Sequence, residues 1–581
     1  MTEVLDQSRI RAAYRIACDR LLAARHPDGY WEGRLSSSAL STATAISALV
    51  PAGQPQDAGM IGNGVQWLAT TQNADGGWGD TVDSPSNLAT TLLVVSALRF
   101  VTMPEAAAAL SRAEEYLAIH AGSTPESRVA AITAVYGKDR TFAVPILLNC
   151  ALSGLVSWEV IPGLPFELAA FPPAMYKALR LHVVSYALPA LIAVGLQLHH
   201  RHPSRNPLHR QMRDLLIQPA LAKLANIQPE HGGFLDATPL TSFVAMSLLP
   251  LYGAEQPVVC RCLQFLRQSF RPDGSWPIDT NLSVWMTTSA ITALAAGGHL
   301  ADVGAERTRL WLLERQYQRP HPYTNAAPGG WGWTHSPGGV PDADDTSGAI
   351  IALSHLGETD AIHAGARWLR QLQNRDGGWP TFCRGWGSLP FDKSSPDITA
   401  HAIRALHRTD PDHKHRATQQ AIARGLRYLQ VTQRVDGAWV PLWFGNQAAP
   451  RQENPVLGTA RVLQVYADLR VYGQEAQRAV QYLIDSQHET GGWGGTRGIS
   501  PTIEETALAV TAMQRWPKVP GAQAAWLRGI AYLTASVEEG SWQQPAPIGL
   551  YFASLWYSEE LYPIIWTVEA LGSVFRQDSQ D

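Results

Sequence analysis

With 581 residues, the chain is longer than a single hydrophobic core usually supports, so we expect two domains. Charged residues make up 17% of the sequence and tryptophan occurs 20 times, so much apolar and aromatic surface must be buried or line a cavity. The net charge of -4, with no run of basic residues, argues against a nucleic-acid-binding protein.

The N-terminal segment and the longest apolar runs give no sign of export or of membrane insertion. Residues Met1 to Asp6 contain no basic region followed by an apolar stretch, so we expect no secretory signal. The runs Phe142 to Val156 and Val183 to Leu198 are too short or too polar to span a bilayer. The five cysteines form no CxxC pair and no even framework, so we expect reduced thiols and a cytoplasmic protein.

The first half of the chain contains a weak helical repeat. A small residue followed by leucine, near Leu49, Leu98 and Leu248, marks copies of one helix, and diverged helical segments lie between them. We therefore expect residues 21–255 to form a first, less regular α/α barrel.

The second half repeats the same helix more regularly, six times. Counting back nine residues from the end of each copy gives one equivalent position per repeat. Apolar residues follow it at helical spacing, so each position is predicted at a helix start. These positions hold Trp285, Asp344, Asp397, Leu457, Glu504 and Tyr562. Equivalent helix starts in a closed array surround one cavity, and we expect residues 1–20 together with 256–581 to form a second, catalytic α/α barrel.

A second helix in each repeat ends in a Gln-to-Trp element. The elements Gln373 to Trp379 and Gln433 to Trp439 contain Asp-Gly, which is a turn and helix-stop signal. Similar elements recur at intervals of roughly 40 to 60 residues, the range of helical-pair repeats. The sequence therefore predicts an all-α protein built from helix pairs, in which the element tryptophans, among them Trp78 and Trp493, are structural.

One repeat has an acidic cluster, Asp342-Ala343-Asp344-Asp345-Thr346, at its predicted helix start. Acidic residues are common at such positions because they accept hydrogen bonds from free amides and interact with the helix dipole. The enrichment of a single repeat in three acids instead favours a catalytic role for Asp344. For Asp342, Asp345 and Asp397, helix capping is nearly as good an interpretation as catalytic support.

Together, the DxDDT sequence and the repeated QxxDGxW elements resemble squalene-hopene cyclase and its class II terpene cyclase relatives over nearly the whole chain. The resemblance implies two α/α barrels and an isomerase that cyclises an isoprenoid. It also implies that Asp344 donates a proton to a terminal alkene and that His401 hydrogen-bonds this donor.

Protonation of an alkene places clear demands on the acid. An alkene is a very weak base, so the donor must be neutral and yet lose its proton readily. Asp342 and Asp345 disfavour further negative charge and so keep one proton in the cluster. A histidinium at His401 would stabilise the carboxylate that remains. Internal alignment places His401 one helical turn after Asp397, where it can face Asp344.

A carbocation in the cavity needs negative density that does not capture it, which aromatic rings supply through cation–π attraction. The resemblance places such rings at Trp285, Trp333, Phe382, Trp443, Tyr551, Phe552 and Trp556, with core packing as the alternative for each.

The chain departs from the family pattern near the predicted cavity. Leu457 replaces a tyrosine that helps to relay the next proton in squalene-hopene cyclase, and the preceding loop, Phe444 to Glu453, is longer. Glu504 and Glu505 occupy positions where the family usually has a neutral pair. Such changes could alter the ring count or the end of the reaction while leaving its initiation intact.

Three functions are compatible with these residues. The first is cyclisation of squalene or a similar polyprenyl hydrocarbon to a polycyclic triterpene, without cofactor or metal. The second is cyclisation of an oligoprenyl diphosphate, usually with Mg²⁺, for which Arg384, Lys393 and Arg451 could supply a basic pocket if they are not simply solvated. The third is an α/α scaffold or a carbohydrate-active barrel. Three clustered acids disfavour it, because glycosidase carboxylates lie across the scissile bond.

A hydrocarbon substrate that is insoluble in water implies contact with a membrane surface. By the same resemblance, we expect monotopic attachment of the first barrel around Leu215 to Ile227 or Val183 to Leu198, at the cytoplasmic face of the membrane. A homodimer is also compatible with the sequence.

Overall fold

Helix follows helix along the chain in the computed structural model, which describes residues 6–137, 140–171, 175, 187–381, 392–550 and 555–575. The helices of the first half are α1 (Gln7–Ala23), α2 (Ala39–Ala52), α3 (Ala58–Thr70), α4 (Leu88–Leu98), α5 (Pro104–His120), α6 (Pro125–Tyr136), α7 (Arg140–Leu152), α8 (Leu188–Arg201), α9 (Pro207–Ile227), α10 (Thr238–Tyr252) and α11 (Pro257–Gln268). Those of the second half are α12 (Ser283–Ala296), α13 (Ala305–Glu314), α14 (Ala343–His355), α15 (Asp360–Leu372), α16 (Pro396–Thr409), α17 (Arg416–Thr432), α18 (Pro455–Asp468), α19 (Gln474–Ser486), α20 (Ile503–Met513), α21 (Ala522–Glu539) and α22 (Tyr562–Phe575).

Extended structure in the described ranges is limited to three short antiparallel pairs. They are β1 (Ser37–Ser38) with β2 (Trp276–Pro277), β3 (Trp379–Pro380) with β4 (Ser394–Ser395), and β5 (Ile548–Leu550) with β6 (Leu555–Tyr557). Single turns of 3₁₀ helix occur at Pro55–Asp57, Trp158–Val160, Phe166–Ala170, Phe234–Asp236, Leu300–Val303, Pro450–Gln452 and Ser541–Gln543. The predicted all-α fold class is therefore confirmed.

Six inner helices of the second half form a closed ring. Each of α12, α14, α16, α18, α20 and α22 packs against the next, and α22 packs against α12. The outer layer consists of α13, α15, α17, α19 and α21, and α1 fills the remaining place beside α21 and α22. The six equivalent positions predicted from the repeat all lie within the first three residues of the inner helices.

The first half forms a similar but less regular array. Helix α10 packs against both α2 and α8, while α2 continues to α4, α4 to α7 and α7 to α8. Helices α3, α5, α6, α9 and α11 lie on the outside of these five. The inner helices are apolar on every side, as α4 shows with ten buried residues in its eleven, which is expected for helices enclosed by others.

The two arrays have separate hydrophobic cores, and these cores shift the predicted domain boundaries. Residues from Leu21 to Trp31 belong to the second core, because α1 extends to Ala23 and the indole of Trp31 donates to the carbonyl of Leu21. Helix α11, predicted to begin the second barrel, is buried in the first core because it is the outer partner of α10. The chain therefore passes between the cores at about residues 31–39 and 276–284.

The Gln-to-Trp elements join three helices at once. In the element that follows α15, the Trp379 indole donates to the carbonyl of Leu369 (2.8 Å), and the Thr399 hydroxyl accepts from the Trp379 amide (3.0 Å). The Gln373 amide donates to the carbonyls of Gly377 (2.7 Å) and Ala421 (2.8 Å), the latter in the next outer helix. The same indole and threonine contacts recur at Trp31, Trp78, Trp276, Trp331, Trp439 and Trp493.

The turn within each element requires glycine. Gly377 has φ +94°, and a Cβ atom there would lie 2.5 Å from the carbonyl oxygen of Arg424. Both the backbone conformation and the close approach of the neighbouring helix therefore exclude a side chain. The recurring Asp-Gly is thus explained by packing.

The apolar segments predicted to contact a membrane are mostly buried. Of the predicted segment Val183 to Leu198, the described residues Leu188 to Leu198 belong to the inner helix α8. In the predicted segment Leu215 to Ile227, the residues Leu221, Leu224 and Ile227 pack in the hydrophobic core of the first barrel. The exposed apolar side chains of α9 lie nearer its start, at Leu208, Met212 and Leu215. Hydropathy alone did not distinguish a buried face from an exposed one, because both faces of α9 contain leucine.

Candidate active site

An apolar cavity of about 310 Å³ lies where the inner helix starts of the second barrel meet the first barrel. First-barrel residues such as Leu93, Phe142 and Phe243 form one part of its wall. No lysine, arginine or histidine is among the described lining residues. The opposite part of the wall contains aromatic rings and four carboxyl groups, namely those of Trp285, Trp333, Trp443, Tyr557, Tyr562, Asp279, Asp342, Asp344 and Asp345.

The acidic cluster occupies the start of α14. Asp342 is the N-cap residue, and its Oδ1 accepts from the amide of Asp345 (2.8 Å). The Asp342 amide donates to the carbonyl of Trp331 (3.0 Å), so a Gln-to-Trp element holds the cluster in place. Asp342 and Asp345 are buried, whereas the Asp344 side chain keeps 19% of its surface accessible. Asp344 is therefore the acid of the three that is best placed to reach a substrate.

Asp344 is hydrogen-bonded to His401 of the neighbouring inner helix, α16. The Nδ1 atom of His401 lies 2.6 Å from Oδ1 of Asp344, and the edge of the imidazole meets the Trp285 ring at 5.9 Å. Burial lowers the pKa of His401, while the adjacent Asp344 carboxylate favours the imidazolium. The repeat alignment thus brought the correct pair of residues together, and their catalytic roles stay predictions.

The surrounding acids hold protons more strongly than usual. Burial raises the pKa of Asp342 to about 7 and that of Asp345 well above its ordinary value, where the neighbouring Asp342 adds to the effect. Burial, opposed by a hydrogen bond from Ser395, raises the pKa of Asp397 to about 6. At neutral pH the cluster therefore retains at least part of a proton beside Asp344.

Asp397 supports the cluster from behind rather than lining the cavity. It is the second residue of α16 and accepts from the Ser395 hydroxyl, whose oxygen accepts from the amide of Leu442 (2.8 Å). The charge of Asp344 contributes to the raised pKa of Asp397, which shows that the two carboxyls are close. The next residue, Ile398, reaches the cavity wall.

The aromatic predictions fall into three groups. Trp285, Trp333 and Trp443 line the cavity. Phe382, Tyr551 and Phe552 lie outside the described residues, as does the predicted basic residue Arg384.

Trp556 needs a correction, because it is absent from the described cavity wall. Side chains alternate along β6, and here Leu555 and Tyr557 face the cavity while Trp556 is buried between the barrels, where its amide donates to Asp80 (2.8 Å).

Two further wall residues were not singled out as site residues from the sequence. The hydroxyls of Tyr557 and Tyr562 lie 3.4 Å apart, and both rings face the cavity. Tyr562 already stood out as one of the six equivalent positions, which was the signal for it. Asp279 was missed altogether, since it is a lone acid shortly after the element that ends at Trp276.

The two unusual glutamates brace the long loop and are not in the described cavity wall. Glu505 accepts from the side-chain amides of Asn446 (3.0 Å) and Asn454 (2.8 Å), at both ends of that loop. Glu504 accepts from the amide of Ala546 (2.8 Å), and burial raises its pKa to about 8. Glu505 is therefore directly connected to the loop insertion, whereas Glu504 contacts the segment before β5.

Comparison with known proteins identifies the family. A model of the squalene-hopene cyclase N-terminal domain matches residues 15–246, and one of the C-terminal domain matches residues 282–576. The chain belongs to the squalene-hopene cyclase family. It is a class II terpene cyclase.

Individual relatives of this cyclase are distant. A probable squalene–hopene cyclase of Sinorhizobium fredii is 24% identical over 95% of this chain and 94% of its own length. Enfumafungin synthase of Hormonema carpetanum is 26% identical over 94% of this chain, which spans only 47% of that relative. The solved ent-copalyl diphosphate synthase from Streptomyces platensis has a TM-score of 0.60 at 19% identity, covers 98% of this chain and 99% of its own, and shows a shared fold.

Proposed function

We propose that this cyclase protonates a terminal alkene of squalene or a similar linear polyprenyl hydrocarbon and folds the chain into a polycyclic triterpene. The observation that supports this most directly is the position of the Asp344–His401 pair at the end of an apolar, aromatic cavity. Relatives named squalene–hopene cyclase, alike over nearly the whole chain, support the same substrate class.

The first step uses Asp344 as the acid. Its O–H bond breaks, and the proton forms a C–H bond with the terminal alkene, which becomes a tertiary carbocation. His401, at 2.6 Å, stabilises the new carboxylate. Asp342 and Asp345 keep a proton in the cluster before the reaction, because additional negative charge beside them is disfavoured, and His401 offsets the charge that Asp344 then acquires.

The following steps need positioning rather than further acid. Each ring closes when the π electrons of the next alkene form a bond to the cation. Trp285, Trp333 and Trp443 present ring faces or edges to the cavity, and such rings stabilise a cation without forming a bond to it. The sum of protonation, ring closure and final deprotonation is an isomerisation, so the proposed reaction uses no redox cofactor and no metal.

The alternative substrate is an oligoprenyl diphosphate. The fold shared with a copalyl diphosphate synthase keeps this alternative relevant. Against it, Lys393 is exposed and Arg451, 71% exposed, pairs with Glu453 (3.0 Å). In the described ranges, no group of three or more histidine, cysteine or carboxylate side chains is arranged to hold a metal ion.

We further propose that the cyclase takes its substrate from a membrane surface. Leu208, Met212 and Leu215 lie on one face of α9, and the two leucines are 77% and 72% exposed. Residues four and three positions apart share a helix face, so they form a continuous apolar stripe. No helix in the described ranges is long and apolar enough to cross a bilayer. Peripheral contact at the cytoplasmic face, with the cyclase as monomer or homodimer, completes the proposal.

The test is a substrate comparison. Purified enzyme is incubated with squalene and, separately, with geranylgeranyl and farnesyl diphosphate, each with and without EDTA, and products are identified by mass spectrometry. We expect squalene cyclisation that survives EDTA and is absent in Asp344→Asn. Cyclisation of a diphosphate alone, lost on addition of EDTA, would replace the hydrocarbon proposal by the alternative.

A further inference from the structure

The cavity wall contains a second acidic group that the initiating cluster does not use. Asp279, just after β2, lines the cavity, and its backbone pairs with that of Ala237. The adjacent Asp236 is fully buried, and its Oδ1 is hydrogen-bonded to Nε2 of His231. Asp236 is the residue before Ala237, and its negative charge contributes, after burial, to raising the pKa of Asp279. We call these three residues the Asp279–Asp236–His231 chain.

The geometry gives this chain a direction from the cavity outward. Asp279 is at the wall, Asp236 has no accessible surface, and the side chain of His231 is 21% exposed. The Oδ2 atom of Asp236 is buried and has no hydrogen-bond partner among the described residues. A buried carboxylate oxygen left free next to a second carboxyl can accept a proton from it.

The backbone at Asp236 is held in an uncommon conformation. Leu235 and Asp236 have φ angles of 55° and 53°, which side-chain-bearing residues rarely adopt. Leu235 contributes to the cavity wall, and Asp236 also accepts from the amide of Gly338, in the loop that leads to the acidic cluster. Strained residues of this kind persist where the surrounding structure fixes them, often at functional sites.

We propose that Asp279 is the base that ends the cyclisation, and that Asp236 and His231 conduct the released proton out of the cavity. This inference rests on the proposed function. A C–H bond beside the last carbocation breaks, and its electron pair forms the C=C bond of the product. The proton binds to Asp279, passes to Asp236 and leaves through His231. One proton enters at Asp344 and one leaves here, so the substrate and product are isomers.

The other carboxyls near the cavity are less suited to this role. Asp344 is committed to His401, and one oxygen of Asp342 caps α14. Glu504 and Glu505 are absent from the described wall. Trp333 lines the same cavity as Asp279, so a cation held by this ring shares the cavity with the base. An approaching cation favours the ionised form of Asp279 and moves the proton shared by the pair towards Asp236 and His231.

The experiment compares products of the wild-type enzyme with those of Asp279→Asn, Asp279→Glu and Asp236→Asn. The control is Asp302→Asn, which alters a surface acid that also pairs with a histidine, His299 (2.7 Å). In Asp279→Asn we expect substrate consumption to fall by no more than about threefold, while products formed by water capture or early proton loss increase about fivefold relative to the wild-type alkene. Asp236→Asn should change the products in the same direction.

Asp279→Glu separates a chemical role from packing. It keeps the carboxylate but moves it by one methylene, so we expect a retained alkene fraction with an altered ratio of double-bond isomers. The inference is overturned if Asp279→Asn folds and its product profile is unchanged. If Asp279→Asn does not fold, an unchanged isomer ratio in Asp279→Glu overturns it instead. A wild-type product that is mainly an alcohol also overturns it. Failure of the proposed function is distinct, since the wild-type enzyme would then cyclise no hydrocarbon.

Discussion

His401 Nδ1 and Asp344 Oδ1, from adjacent helices of one closed ring, lie 2.6 Å apart. Each residue is at the cavity end of its inner helix, and each helix is fixed on both sides by its neighbours. The distance between acid and imidazole is therefore set by the packing of the whole ring and not by a flexible loop. Preorganisation of this kind allows an acid to stabilise its conjugate base without rearrangement.

Asp344→Asn is expected to abolish cyclisation and leave the fold intact. The amide has no proton to donate, whereas the cap of α14 is provided by Asp342 and is not altered. Product analysis measures the activity, and circular dichroism with thermal unfolding measures the fold. Wild-type-like product formation would rule out Asp344 as the donor, and a large fall in melting temperature would make the loss of activity uninformative.

His401→Ala should slow the reaction without abolishing it. A hydrogen bond to a charged group contributes about 1.5–3 kcal/mol, which corresponds to a roughly 10- to 150-fold fall in rate. Single-turnover product formation measures the effect, with His363→Ala, an exposed histidine of the outer helix α15, as the control. An unchanged rate in His401→Ala would assign this residue to packing.

The raised pKa of Asp342 predicts that the free energy of unfolding falls as the pH rises. Its pKa is raised on folding to about 7, so the protonated form favours the folded state, and this contribution is lost as the pH rises from about 4 to about 7. In Asp342→Asn the cap is retained and the titrating group is gone. The unfolding free energy of the wild-type enzyme should thus fall relative to that of Asp342→Asn over this range. A difference that does not depend on pH would contradict the raised pKa.

Replacement of a wall ring should change the products. In Trp443→Ala the cation is less well guided, so we expect partly cyclised products beside the normal one. Trp493→Ala is the matched comparison, because this tryptophan is fully buried in a Gln-to-Trp element, away from the described cavity wall. There we expect a loss of about 3–5 kcal/mol in stability and no new product. Loss of soluble protein in Trp443→Ala, with no new product, would make its role structural.

The exposed stripe on α9 predicts membrane binding. The double variant Leu208→Glu/Leu215→Glu should bind less to anionic and neutral lipid vesicles in flotation assays, because charged groups replace the apolar contact. Activity on detergent-dispersed squalene should be retained. Val431→Glu, at a 71% exposed position of the outer helix α17, is the control. Equal vesicle binding by the wild-type enzyme and the double variant would exclude this face.

Periodicity in the sequence was sufficient for the second barrel. The small-Leu spacing located every inner helix start and placed Asp344 at one of them, while the partner His401 was implied by the family resemblance and was compatible with the same alignment. This worked because each repeat places its equivalent residue at the same end of the ring, so residues at equivalent positions of the repeat lie near one another in the structure. The first barrel lacks this regularity, and there the sequence indicated only its existence and extent.

Other features depend on contacts that no local pattern encodes. The side of β6 that meets the cavity is set by its pairing with β5, which decides between Trp556 and Tyr557. The backbone pairing of Asp279 with Ala237 joins residues 42 positions apart. The two hydrophobic cores divide the chain at other residues than the predicted domain boundaries for a similar reason, since an outer helix such as α11 can pack with the repeat before it or with the one after it.

Helix α1 has a consequence for how the molecule is made. It precedes every other described helix in the chain, yet Ile10, Tyr14 and Leu21 are buried against helices that include α21 and α22, which lie several hundred residues later. Helices α2 to α11 are contiguous in the chain and can assemble as soon as they are available. During synthesis the first barrel can thus form while α1 stays tethered to it with its apolar face uncovered. We therefore expect the ring around the acid to close only after α21 and α22 have been synthesised, and truncation within α22 should leave α1 exposed to proteases.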